Sequence, residues 1–196
     1  MAQQQQSVVT RERFDSGLTW PAWMHHIQRN VAKFQYNYDE TAVSEDDASA
    51  LRSLALKESG PARVLIIGED WCPDVFRGLP VVVRIAEAAG MDVRILPRDD
   101  NPDVMQEFLN NGEYQSIPVA VFYTKDHEYI THWIERPEKA NAEMGQMQEI
   151  FAGLDRDKDR DEMRRRNDEF QRGPSWASWR DATISEIREL LESKCG

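Results

Sequence analysis

Apolar residues recur at spacings of three and four near the start of the chain, between Leu18 and Tyr38. This period predicts one amphipathic helix, with Thr19 before Pro21 as a typical helix start. A second helix is predicted over Ser44–Glu58, because acidic residues open it and leucines lie deeper in it. Residues 1–10, which precede the first of these helices, are polar and rich in glutamine, and we expect them to be disordered.

The middle of the chain alternates between strand and helix patterns. Val64–Ile67 is a short, unbroken apolar run, which is typical of a strand that is buried on both faces. The elements predicted after it are a helix over Leu79–Ala89, a strand over Met91–Leu96, a helix over Asn101–Asn111, and strands over Val119–Tyr123 and Tyr129–Ile134. Both helical crossovers are expected to connect parallel neighbours, and the last two strands to form an antiparallel pair. The sequence therefore predicts an α/β fold in which helices flank a four-stranded mixed sheet.

After Pro137 the pattern is helical again. An apolar stripe is followed by Asp155–Arg166, an almost wholly charged stretch that is typical of a solvated helix. A final amphipathic helix is predicted from Trp176 to Leu191.

The whole chain is expected to form one domain with helical additions. We divide it into an N-terminal helical extension over residues 1–60, a core over residues 61–137 and a C-terminal helical extension over residues 138–196. The two extensions carry four of the six tryptophans. We expect these extensions either to cover the sheet or to build a homodimer interface.

The charge and composition of the chain disfavour several classes of function. With 24 Lys and Arg against 35 Asp and Glu, the formal net charge is −11, which disfavours binding to nucleic acid or to an anionic membrane. No stretch approaches the roughly 18 consecutive apolar residues of a membrane span, and Met1–Ser7 lacks the features of a signal peptide. Cys72 and Cys195 are too few for a disulfide framework, so we expect a reducing, cytoplasmic location.

Two patterns resemble metal sites but have the wrong spacing. The acids of Asp155–Asp161 alternate as in a calcium loop, yet Arg160 and Arg166 occupy the positions of its glycine and its closing glutamate. His25 and His26 are adjacent, so on a helix they diverge by about 100° and cannot share a metal ion. We therefore expect neither a metal nor another cofactor.

Cys72 is the residue on which a chemical function would depend. It lies between the predicted strand Val64–Ile67 and a helix, at the positive end of that helix. Amide N–H groups at a helix start stabilise a thiolate, whereas the nearby acids Glu69, Asp70 and Asp74 disfavour it and raise the thiol pKa. The alternative is that Cys72 is a small buried residue at a turn, because free cysteines are often part of a core.

Several short motifs accompany Cys72. They are Trp71-Cys72-Pro73-Asp74, Pro80 eight residues beyond the cysteine, Ser116-Ile117-Pro118-Val119 before the third strand, Arg98-Asp99-Asp100-Asn101, and the segment from Trp133 to Pro137. Through them residues 61–137 resemble the thioredoxin superfamily, and in particular a bacterial thioredoxin-like family with a Trp-Cys-x-Asp motif. The resemblance implies a thioredoxin-like fold in which Pro118 is a cis-proline that faces Cys72. It also implies that the substrate-binding residues are Trp71, Pro73, Asp74, Ile117 and Pro118.

Two positions depart from the dithiol members of that superfamily. Val75 stands where the second, resolving cysteine is found, and Ile66 stands where a buried acid assists proton transfer. Without a resolving thiol, a mixed disulfide at Cys72 persists until an external thiol releases it. Cys195 lies near the end of the sequence and is expected to be exposed, so we do not expect it to replace the resolving thiol.

Two functions of different class remain open. The first is monothiol redox chemistry, in which Cys72 exchanges with a thiol or disulfide of a protein or of a small molecule. The second is a chemically silent binding module that uses the groove beside Pro118. There Ile117 would offer its amide and carbonyl groups to an extended peptide.

Overall fold

The computed structural model describes residues 7–196. Its elements are α1 Arg11–Asp15, α2 Trp20–His26, α3 Val31–Asp39, α4 Glu45–Ala55, β1 Arg63–Gly68, α5 Pro73–Ala89, β2 Asp92–Pro97, α6 Pro102–Gln106, β3 Val119–Tyr123, β4 Tyr129–Ile134, α7 Glu138–Glu143, α8 Gly145–Glu149, α9 Arg160–Phe170 and α10 Pro174–Cys195. Residues 1–6, part of the segment expected to be disordered, lie outside the described range. For residues 7–10 that expectation is wrong, because Val9 is buried and the Thr10 side chain caps α1.

The four strands form one mixed sheet in the order β2-β1-β3-β4. β1 is parallel to β2 and antiparallel to β3, and β3 is antiparallel to β4. Residues Val64–Ile67 of the central β1 are fully buried, as the unbroken apolar run predicts. The predicted α/β class, with helices flanking a four-stranded mixed sheet, is confirmed.

The expectation of two parallel crossovers is wrong for the second one, because β3 runs antiparallel to β1. α6 contains only five residues and therefore spans about 7.5 Å, against roughly 20 Å for the six-residue β2. So short a helix does not return the chain to the far end of the sheet. β3 consequently starts at the end of the sheet where β1 and β2 finish, which brings Pro118 to the carboxyl end of β1.

The single helix predicted between Leu18 and Tyr38 is in fact two helices. α2 ends at His26, because Ile27 is extended, and α3 follows Asn30, whose φ of 54° is left-handed. The break is held from outside, because Asp70 Oδ2 accepts hydrogen bonds from the amides of Gln28 and Arg29 at 3.0 and 2.9 Å. These bonds replace those that a continuous helix would make.

The charged stretch after residue 154 also starts its helix later than predicted. Asp155 accepts hydrogen bonds from the amides of Asp157 and Lys158, and Asp159 accepts one from the amide of Asp155. These local bonds form a turn over the first residues, because short acidic side chains compete with helical hydrogen bonding. The helix α9 therefore begins only at Arg160.

The C-terminal helix α10 packs on the core, against α4 and α5. Its tryptophans Trp176 and Trp179 are buried in the same apolar cluster as the strands. The expectation that Cys195 is exposed is wrong: it is buried in the last turn of α10, where its carbonyl accepts a hydrogen bond from Lys57 Nζ at 2.6 Å. No helix within residues 7–196 is long and apolar enough to cross a membrane.

Candidate functional site

The backbone places Cys72 at the junction between β1 and α5. Its amide donates to the carbonyl of Glu69 at 3.4 Å, and its own carbonyl accepts from the amides of Val75 and Phe76. Cys72 is thus the N-cap residue of a 17-residue helix, with extended backbone angles and Pro73 as the first helical residue. This position directs the positive end of a long helix at a half-buried thiol.

The loop before β3 forms the other wall of the site. Cys72 Sγ lies 3.8 Å from the carbonyl oxygen of Ile117, and the Ile117–Pro118 peptide bond is cis. Gly78 of α5 allows this close approach, since a Cβ atom there would lie 3.2 Å from Pro118 Cγ. The structure therefore brings Cys72, Ile117 and Pro118 together.

Burial raises the pKa of the Cys72 thiol, and the carboxylates of Asp74 and Glu135 act in the same direction. The amides of Val75 and Asp74 at the helix start oppose this shift without reversing it. Sequence reasoning identified Asp74 but missed Glu135, which is distant in the chain. Glu69 and Asp70 instead make structural hydrogen bonds. Glu69 accepts one from the amide of Asp99, and Asp70 accepts two from amides in the break between α2 and α3.

We therefore expect Cys72 to react as a thiol with a raised pKa. In a Cys195→Ser background, we measure the rate of alkylation by iodoacetamide as a function of pH. The inflection of this curve should lie at a higher pH than that of a free cysteine peptide measured in parallel. The reason is that alkylation follows the thiolate fraction, which a higher pKa shifts to higher pH. An inflection below that of the free peptide would contradict a raised pKa of Cys72.

A cluster of charged side chains, which we call the charge cluster, lies directly behind Cys72; one of them is fully buried and the other three are half-buried. It consists of Asp74, Arg77, Glu135 and Arg136. Asp74 accepts from Arg77 Nη2 and from Arg136 Nη2, each at 3.0 Å, and Arg77 also donates to the carbonyl of Glu135 at 3.4 Å. The Arg77 side chain has no exposed surface. Asp74 is therefore a member of an ion network rather than a free acid beside the thiol.

Two tryptophans of α10 complete the surroundings of Arg77. The guanidinium carbon lies 5.7 Å from the ring centre of Trp176 and 5.9 Å from that of Trp179. Such cation–π contacts stabilise a buried guanidinium whose Nε and Nη1 have no hydrogen-bond partner among the described residues. The C-terminal extension thus contributes to the electrostatics behind Cys72, a role that the sequence did not reveal.

The remaining predicted residues form the outer rim. Trp71 is 42 % exposed, with the Arg98 guanidinium 5.0 Å from its ring centre, and Pro73 is exposed at the helix start. Val75 and Ile66, at the two positions where dithiol enzymes carry functional groups, are fully buried apolar residues.

No second thiol reaches this site. Cys195 is held near Lys57, which precedes β1, whereas Cys72 follows β1 at its other end, about 20 Å away along a six-residue strand. Within residues 7–196, no group of three or more His, Cys, Asp and Glu side chains is placed to hold a metal ion. The site therefore consists of a single, partly accessible thiol beside the loop that contains Ile117 and Pro118.

Comparisons with known proteins agree with the fold. A family model described as thioredoxin matches residues 17–149. Among solved structures, the chain is similar to the crystal structure of a protein of unknown function from Pseudomonas aeruginosa, with 17% identity, a TM-score of 0.66, and coverage of 96% of this chain and 99% of that one. It is also similar to an HIV epitope scaffold, with 18% identity, a TM-score of 0.61 and the same coverage. No curated protein matches the sequence.

Proposed function

Because this chain belongs to the thioredoxin family, we propose that it carries out thiol–disulfide exchange through a single cysteine, Cys72. The observation that carries the proposal is the position of this thiol: half-buried at the N-terminus of α5 and 3.8 Å from the Ile117 carbonyl. Reactive thiols are found at accessible helix N-termini, and Cys72 has this position, where the helix start partly offsets the increase in its pKa that burial causes.

The exchange proceeds in two steps. The Cys72 thiolate attacks one sulfur of a disulfide, so that a mixed disulfide forms and the other sulfur leaves as a thiolate. An external small thiol, as its thiolate, then attacks the substrate sulfur of the mixed disulfide, so that Cys72 leaves as a thiolate and the substrate sulfur becomes disulfide-bonded to the small thiol. The external thiol is the reductant, because Val75 supplies no internal one. Dependence on small thiols is typical of a reducing compartment, so we propose a cytoplasmic location.

The backbone beside Cys72 supports a protein or peptide as the carrier of the disulfide. Among the described residues, no hydrogen bond uses the amide N–H of Ile117. An extended peptide can pair with this amide and with the adjacent carbonyl, as a strand pairs with a sheet edge. Trp71 and Pro73 lie on the exposed rim, where they would contact the side chains of such a peptide.

The test compares two cysteine variants in exchange with a peptide mixed disulfide and excess small thiol. Cys72→Ser should reduce the rate to that of the uncatalysed reaction, because the attacking sulfur is lost. Cys195→Ser is the matched control and should keep the wild-type rate, because its thiol lies at the far end of β1. Loss of activity in Cys195→Ser with retention in Cys72→Ser would contradict the assignment. The rate is followed by the absorbance or fluorescence of the released thiol.

The second candidate is a binding module that holds a peptide without chemistry. The raised pKa of Cys72 favours it, because a mostly protonated thiol attacks slowly at neutral pH. Cys72→Ser separates the two functions. If the wild-type protein catalyses no exchange and Cys72→Ser binds a peptide with the wild-type affinity, the protein is a binding module.

A further inference from the structure

Arg77 occupies an environment that fold stability alone does not explain. Its side chain has no exposed surface, and its Nε and Nη1 have no hydrogen-bond partner within residues 7–196. Burial of a guanidinium costs free energy, and replacing a buried ion pair with apolar residues is often neutral or stabilising. Each buried donor without a partner adds to this cost. A side chain of this kind therefore calls for a task other than packing.

The charge of Arg77 acts on the surroundings of the Cys72 thiol. Its Nη2 donates to Asp74 Oδ1 at 3.0 Å, so the guanidinium neutralises a carboxylate that follows Cys72 by two residues. The charges of Asp74 and of the Cys72 thiolate both raise the pKa of Arg77, because each attracts the guanidinium. This attraction is mutual, so Arg77 favours the thiolate and opposes the effect of Asp74 on it.

The guanidinium is held in place from two sides. The ring centres of Trp176 and Trp179 lie 5.7 and 5.9 Å from its central carbon, and the Glu135 carbonyl accepts from Nη2 at 3.4 Å. The Trp179 ring is itself anchored, because its Nε1 donates to the Glu143 carboxylate at 2.8 Å. A cation fixed in this way acts on a thiolate without first having to reorient.

The other charged groups near Cys72 are less well placed for this task. Glu135 raises the pKa of the thiol as Asp74 does, and its carboxylate pairs with Arg136. Arg136 also binds Asp74, but 18% of its side chain is exposed against 0% for Arg77, so water weakens its field. The remaining charged side chains on the loops beside Cys72 and on the facing part of α10 have other partners: Arg98 pairs with Asp99, Glu69 accepts from the Asp99 amide, Asp70 from the amides of Gln28 and Arg29, and Glu186 from Trp133 Nε1.

We propose that Arg77 is a positioning residue for Cys72, whose buried charge offsets that of Asp74 and keeps the thiol reactive. The inference rests on the proposed function, because exchange requires Cys72 as a thiolate. Since Trp176 and Trp179 hold the guanidinium, the C-terminal helix α10 takes part in setting the reactivity of Cys72.

The first test measures the alkylation of Cys72 by iodoacetamide as a function of pH, in a Cys195→Ser background. Arg77→Met replaces the guanidinium with an unbranched apolar side chain and leaves Asp74 paired with Arg136, so the fold should be retained. The inflection of the alkylation curve should move to a higher pH, by about half a pH unit or more. An unchanged inflection, or one at a lower pH, would overturn the proposal.

Asp74→Asn and the double variant with Arg77→Met separate charge from packing. Asp74→Asn removes the negative charge, so its inflection should lie at a lower pH than that of the wild type. In the double variant both charges are lost, and the inflection should lie between those of the two single variants. A purely structural role of Arg77 predicts no such opposite shifts. An inflection of the double variant equal to that of Arg77→Met would overturn the claim that the two charges offset each other.

Arg180→Met is the matched control. Arg180 is also a buried arginine, 5% exposed, but it donates to Asn37 Oδ1 and lies over the ring of Tyr36. With circular dichroism showing an intact fold, this variant should keep the wild-type inflection, and a shift equal to that of Arg77→Met would overturn the proposal. Alkylation needs no disulfide substrate. A wild-type protein that catalyses no exchange would therefore contradict the proposed function, while the alkylation curves would still decide the role of Arg77.

Discussion

Replacing Asp74 with asparagine should lower the free energy of unfolding by about 3 kcal/mol, because it leaves the guanidinium of Arg77 buried without its counter-charge. Arg77 has no exposed surface and cannot turn to water when its partner is lost. The charge of Arg136, which also binds Asp74, would then add repulsion. Urea unfolding followed by tryptophan fluorescence measures the loss.

Two further variants make this prediction specific. The double variant Asp74→Asn with Arg77→Met removes the buried cation as well, so it should be more stable than Asp74→Asn alone. Asp161→Asn breaks a pair with Arg164 whose side chains are 99% and 74% exposed, and it should cost less than about 0.5 kcal/mol. If Asp74→Asn and Asp161→Asn are equally stable, the ion network behind Cys72 does not stabilise the fold.

Replacing Val75 with cysteine should raise the rate of protein disulfide reduction by at least about tenfold. Residues three apart in a helix have Cβ atoms about 5–6 Å apart, which small shifts bring into disulfide range. The new thiol would attack a mixed disulfide at Cys72 from within the molecule, and this has a large advantage in effective concentration over any external thiol. An insulin reduction assay with a dithiol reductant measures the gain. Ile66 limits it, because no buried acid assists the proton transfer.

Val75→Ala is the control for this gain of function. It also shortens the side chain beside Cys72 but supplies no thiol, so it should remain as slow as the wild type. An equal increase in Val75→Ala and Val75→Cys would show that access to Cys72, rather than a resolving thiol, limits the wild-type reaction. Wild-type turnover equal to that of Val75→Cys would require a second internal thiol, and Cys195 is the other cysteine of the chain.

The central layer of the fold could be predicted because its sequence permits one environment. The run Val64–Ile67 has no polar side that could face water, so both of its faces are expected to be covered, and its short length and β-branched residues favour a strand. The strand–loop–helix order then places Cys72 at the start of α5. The position of Ile117 and Pro118 opposite Cys72 came from the resemblance to thioredoxins, because no local pattern pairs two loops 45 residues apart.

The features that could not be predicted depend on contacts between distant parts of the chain. The break after α2 is held by Asp70, about 40 residues away, while both helices keep the same apolar period. A charge pattern shows that Arg77 and Asp74 can pair, but not that two tryptophans of α10 cover them. Glu135 and Arg136 join the cluster only through the antiparallel return of β4. Local periodicity indicates which face of a helix or strand is buried, but it does not indicate which distant residues cover that face.

The packing of α10 has a consequence for the order of folding during synthesis. This helix lies against α4 and α5, so its contacts join residues more than 80 positions apart in the sequence. When β4 has emerged from the ribosome, Trp176 and Trp179 have not yet emerged, so the Arg77 side chain lacks its aromatic contacts. Closure of the core therefore awaits the release of α10 and involves contacts of long sequence separation, which slow folding. Until then, the surface behind Cys72 is available to chaperones and proteases.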